Sequence, residues 1–106
     1  MAEVIAVKDE EVVIQVRIKL NGSMLDREES IQSAVNDVGC LATSEAFKRF
    51  DTTGAPIRID NVRMTSKGVV KKRYETPYGA IDIERYVYQT STGGKTYCPL
   101  DEHARL

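Results

Sequence analysis

The chain has no tryptophan, one histidine, two cysteines and three prolines in 106 residues. Each scarcity excludes something. Cys40 and Cys98 are too few for a disulfide framework. They could form a single bridge, but the count favours two free thiols in a reducing compartment. His103 and Cys98 make a C-x4-H pair, whereas structural zinc usually takes four ligands. No apolar run approaches the roughly 20 residues that span a bilayer. The opening MAEVIAVKDE lacks the basic start and long apolar stretch of a secretory leader. The expectation is a cytoplasmic protein with no membrane partner, no metal, no cofactor and no small-molecule substrate. Internal repeats and low-complexity linkers are also missing.

What is present is an ordinary globular mixture, 42% hydrophobic and 29% charged, long enough for one domain over residues 1–106 with its own core. The net charge of −1 hides an asymmetry. Residues 1–53 carry a net −4 and residues 54–106 a net +3. If nucleic acid is bound, the second half is the side to meet it.

EEVVIQVRIKL (10–20) alternates with period 2, placing Val12, Ile14, Val16, Ile18 and Leu20 on one face of a strand. After the break at Asn21-Gly22-Ser23, apolar residues recur at helical spacing from Ile31 to Phe50. That predicts one helix over about 25–50. Asp26 with Glu29 forms a capping-box-like start, and Ser23 is a rival cap. Ile31, Val35, Val38, Leu41 and Phe47 are expected to face the sheet, meeting Ile14, Val16 and Ile18. Gly39, mid-helix, implies either close packing or a bend. DTTGAP (51–56) ends the helix.

The rest reads as a meander. IRIDNVRM (57–64) is strand-like with a turn at Asp60-Asn61. Val69–Thr76 and Ala80–Tyr88 are two further strands, joined by a three-residue hairpin at Pro77-Tyr78-Gly79, in which Pro77 presets the first turn position and Gly79 takes the left-handed one. Gly93-Gly94 supplies another turn before a short returning strand. The fold class is α+β: a β-α-β-β-β order with one long helix on one face of an antiparallel sheet.

RMTSKGVVKKR (63–73) holds five basic residues and no acidic one. Lys67, Lys71, Lys72 and Arg73 suit phosphate contact, and equally suit a solvated edge that discourages aggregation. They alternate across both strand faces. Arg85 falls in the apolar phase of Ile81, Ile83 and Val87, so it needs a carboxylate such as Glu75 or Asp101, or a place in a partner surface. Lys95 follows a glycine pair that lacks the remainder of a P-loop. Tyr86 and Tyr88 can stack on bases or pack across strands. Asp82 and Glu84 make only an isolated D-x-E pair, short of the carboxylate set that two-metal chemistry needs.

Several of these stretches combine in a family pattern. Asp51-Thr52-x-Gly54, Thr65-Ser66-Lys67-Gly68, Thr76-Pro77-Tyr78-Gly79, Val87-Tyr88-Gln89, Gly93-Gly94-Lys95 and Cys98-Pro99-Leu100 together resemble the N-terminal part of insertion-sequence transposases of the Kra type, from about Gly22 to Leu106. The resemblance implies a metal-dependent DDE-type enzyme whose RNase H-like core follows the matched region. No catalytic residue carries over, and the chain is expected to be no enzyme by itself. It implies an accessory region, or a truncated remnant, serving element-end binding or assembly. The expected partners are transposon-end DNA and a second copy of the chain. The candidate DNA-binding residues are Lys67, Lys71, Lys72, Arg73, Arg85 and Lys95. The alternative is an interaction or dimerisation module that binds no DNA.

Overall fold

The computed structural model of the protein describes residues 1–90 and 96–105. Its elements run β1 (Ala2–Val7), β2 (Val12–Val16), α1 (Met24–Lys48), β3 (Ile57–Ile59), β4 (Val62–Thr76), β5 (Gly79–Gln89) and α2 (Pro99–Ala104). The α+β class holds, with one long helix and antiparallel strands. The strands form two sheets instead of one: β1–β2, and β3–β4–β5 in that order. The chain divides into two compact units, Met1–Glu45 with Tyr74–Ile81, and Ala46–Arg73 with Asp82–Leu106.

In the first unit, β1 and β2 pair antiparallel, with Ala2 opposite Val16 and Val4 opposite Ile14, and a bulge between Val4 and Ala6. The alternation of β2 therefore survives, but the strand is shorter than the pattern. Its ladder ends at Val16 because β1 begins at Ala2. Ile18 and Leu20 fall outside it and are 40% and 62% exposed. The β1 segment EVIAV carries no period-2 signal, so pattern alone does not reveal it.

Helix α1 opens with a reciprocal cap in which Ser23, not Asp26, is the cap residue. Asp26 N–H donates to Ser23 Oγ at 3.1 Å and Ser23 N–H donates to Asp26 Oδ2 at 3.0 Å. This satisfies two amides of the helix start at once. The buried stripe is rotated from the expected one. Ala34 is buried, Val38 and Leu41 are half-buried, and Ile31 and Val35 are exposed.

Gly39 is explained by close approach. A Cβ at this position would fall inside the ring of Tyr78, from the β4–β5 turn. That turn has two residues, Pro77 and Tyr78, rather than the expected three, because Gly79 already belongs to β5. Thr76 Oγ1 accepts from Tyr78 N–H at 3.0 Å and donates to the Gly79 carbonyl at 2.7 Å. Gly79 then opens β5 at φ +137°.

The second unit contains the β3–β4 hairpin. Asp60 and Asn61 take φ of 51° and 64°, the left-handed pair that a two-residue type I′ turn requires. Ile57 faces Met64, Arg58 faces Arg63, and Ile59 faces Val62. Strand β4 runs without a break through the Thr65–Gly68 stretch that separates two strands in the sequence reading. Among the described residues, the second unit buries Met64, Ile83, Tyr88, Pro99 and Leu100. Helix α2 has only six residues, starting at Pro99 and ending on left-handed Arg105. It is too short to show helical periodicity, although Pro99 followed by Asp101 and Glu102 is a helix-start pattern.

The Gly39–Tyr78 contact gives a prediction. Alanine is the better helix former by about 1 kcal/mol, so Gly39→Ala would stabilise an open helix. Here the collision dominates, and overpacking costs about 1–3 kcal/mol. Thermal melts should show Gly39→Ala below the parent, with the loss largely removed in a Tyr78→Ala background. A Gly39→Ala protein melting above the parent contradicts the packing.

Candidate nucleic-acid interface

Strand β4 presents the basic residues, and its burial pattern sorts them. Met64 is buried, while Ser66, Lys72, Tyr74 and Thr76 are half-buried. Thr65 is half-buried too, so the alternation is regular only from Lys71 to Thr76, where the even-numbered residues are the covered ones. Arg63, Lys67, Lys71 and Arg73 occupy the odd phase and are exposed. Three of the four lysine and arginine candidates of this strand are thus exposed, Lys71 and Arg73 on one face. Lys72 lies on the other.

These cations are not equally available. Lys71 Nζ lies 4.0 Å from Glu84 Oε1, with both side chains well exposed. Arg73 is also engaged with a neighbouring group. Arg63 and Lys67 make no ion pair among the described residues. Arg58, directly across the ladder from Arg63, makes only a 3.4 Å hydrogen bond from Nη1 to the Asn61 carbonyl. Arg58 is absent from the sequence-derived site. Its signal was the cross-strand register set by the Asp60-Asn61 turn.

Pro56, Ile57, Arg58 and Arg63 line an open cleft of about 350 Å³. Arg58, Arg63, Lys67 and Lys72 are the cations of β3–β4 without an ion pair among the described residues, and the first three lie towards the hairpin end.

Arg85 is committed elsewhere. Its guanidinium pairs with Asp101 and approaches Cys98 Sγ at 3.6 Å. The two charged side chains retain 16% and 26% of their exposure. Burial opposes the charge on Arg85, but the Asp101 hydrogen bond and carboxylate outweigh it and raise its pKa above the ordinary value. Arg85 Nε and Asp101 Oδ1 have no hydrogen-bond partner. The pair is single-pronged, short of the bidentate fork. Lys95 lies outside the described residues, as does the Gly93-Gly94 turn. Tyr97 does return, forming a bridge with Tyr88.

Tyr88 is not a stacking platform, and Tyr86 is half-buried. Tyr88 is 0% exposed. Its hydroxyl donates to the Ala55 carbonyl at 2.9 Å and lies 2.5 Å from Thr52 Oγ1. With the phenol proton used on the carbonyl, Thr52 is the donor between the two hydroxyls. Tyr86 N–H donates to Asp51 Oδ2 at 3.1 Å. Gly54, at φ +89°, lies against the Tyr86 ring, where a Cβ would come within 2.8 Å of Cε1.

Asp82 and Glu84 are exposed on β5. Among the described residues no group of three His, Cys, Asp or Glu is placed to hold a metal, and no helix is long and apolar enough to cross a membrane. Both cysteines are free. Comparison with protein-family models, with curated proteins and with solved structures finds no match.

The Arg85–Asp101 pair makes a stability prediction. Removing one partner of a mostly buried pair strands the other charge. Asp101→Ala should cost about 2–3 kcal/mol, the scale of a charged hydrogen bond, as measured by denaturant unfolding. Arg85→Met in the same background should recover part of that loss. An Asp101→Ala variant as stable as the parent contradicts the pairing.

Proposed function

We propose that this chain is a non-catalytic, DNA-associated module, of the kind expected at the front of an insertion-sequence transposase, which holds the DNA backbone through the outer face of β3 and β4. The observation carrying this reading is the set of exposed cations without carboxylate partners, Arg63 and Lys67 on β4 with Arg58 opposite. Phosphates attract such a set whatever the base sequence. The motif resemblance supplies the biological setting of element-end binding or assembly. No catalytic step is assigned to the chain. Arg85 and the two tyrosines serve the fold, and the binding role falls to Lys67, Lys71 and the arginines of the hairpin.

A second reading draws on the first unit. Ile5, Val7 and Val13 on the β1–β2 hairpin, and Met24, Leu25, Ile31 and Val35 on α1, are 41–64% exposed. Large exposed apolar areas favour protein partners, which suits an assembly or dimerisation module.

Fluorescence anisotropy with a short DNA duplex separates the two. On the DNA reading the chain binds at low salt, and log affinity falls linearly with log salt. Lys67→Gln should lower the magnitude of that slope by about one. Lys71→Gln should change it less, because Glu84 already offsets that charge. Absence of duplex binding at low salt, with a concentration-dependent dimer that Ile5→Lys abolishes, would favour the second reading and overturn the first.

A further inference from the structure

The Arg58–Arg63 pair is the least explained feature of the second unit. Two arginines sit directly opposite each other in an antiparallel ladder. Like charges in that arrangement destabilise a sheet. Ile59 and Val62 close the two-residue turn. The next pair, Arg58–Arg63, is then of the non-hydrogen-bonded kind, in which facing side chains lie closest, with Cα atoms about 4.5 Å apart. Ile57, Ile59 and Met64 occupy the covered phase, so both guanidiniums project on the exposed one. Neither makes an ion pair with Asp60 or with any other described carboxylate. A cleft of about 350 Å³ lies between Pro56, Ile57 and the two arginines.

We propose that Arg58 and Arg63 form a clamp for one phosphate group, and that the group is a backbone phosphodiester of duplex DNA. The inference rests on the DNA reading above and adds the seat of the contact. An anion between the two guanidiniums replaces their repulsion with charge-assisted hydrogen bonds, the planar forks matching phosphate oxygens. The hydrogen bond from Arg58 Nη1 to the Asn61 carbonyl uses one of five donors and ties the fork to the turn. The stiff type I′ turn fixes the ladder register that keeps the arginines paired. Lys67, on the same exposed phase, extends the basic track to a further phosphate.

A shared phosphate has a distinctive signature. Arg58→Gln, Arg63→Gln and the double variant should each lower the magnitude of the duplex-binding salt slope by the same amount, about one. Lys67→Gln should lower it by about one more when added to any of them. Two independent contacts would instead cost about two in the double variant, which overturns the clamp. Melting at low salt gives a second readout. Arg63→Gln should melt at or above the parent because a repulsion is relieved, while its duplex affinity falls. A lower melting temperature would assign the arginine to the fold and overturn the site. Inorganic phosphate alone, followed by the Nε–Hε NMR signals of the two arginines, separates the sources. Phosphate shifts without duplex binding keep the clamp and overturn the DNA reading. Duplex binding with an unchanged slope in the double variant keeps the DNA reading and overturns the clamp. Neither response overturns both.

Discussion

The buried phenol of Tyr88 constrains the second unit most tightly. A hydroxyl out of reach of water must find partners or cost about 1–3 kcal/mol. Here it finds the Ala55 carbonyl and the Thr52 hydroxyl, both on the loop that leaves α1. Holding that loop against β5 brings Asp51 to the Tyr86 amide and Gly54 beneath the Tyr86 ring. Only a residue without a side chain fits that approach at positive φ. Tyr88 also exchanges both backbone hydrogen bonds with Tyr97, at 2.7 and 2.8 Å. At Tyr86 and Tyr88 the outer edge of β5 is therefore occupied by the chain's own loop and return segment, one way of covering an exposed edge. Helix α2 follows at once, with Leu100 fully buried and Asp101 placed on Arg85.

This arrangement divides the second unit between fold and function. Asp51, Thr52, Gly54, Tyr88, Pro99 and Leu100 hold the loop, β5 and α2 together. The candidate interface lies instead on β3 and the exposed residues of β4. Arg85 illustrates the division. Its position in an apolar strand phase is resolved by an internal carboxylate, and that charge is spent before any partner arrives.

Much of the fold was legible because periodicity and turn chemistry are local. The alternation of β2, the helical spacing of α1, the Asp60-Asn61 turn and the Pro77-Tyr78 turn all follow from neighbouring residues. What escaped depends on distant partners or on short segments. Strand β1 has a bulge and no alternation, and α2 is barely longer than one turn. The helix face rotated because Gly39 lets the Tyr78 ring approach, a contact between residues far apart in sequence. The basic site was legible as composition, from the run between Arg63 and Arg73. Its geometry was not, because strand phase separates Lys72 from Lys67 and Lys71, while ladder register brings in Arg58. Register is a property of two strands and cannot be read from either alone.

The central claim is that the exposed β3–β4 face meets DNA while the tyrosine-bound loop and the Arg85–Asp101 pair remain inside the fold. Backbone amide NMR during titration with a short DNA duplex tests this most directly. The account predicts the largest shifts at Arg58, Arg63 and Lys67, a weaker response at Lys71, and little change at Tyr86, Tyr88 and Asp101. Shifts centred on β5 and α2, or an unchanged spectrum at saturating duplex and low salt, would contradict it.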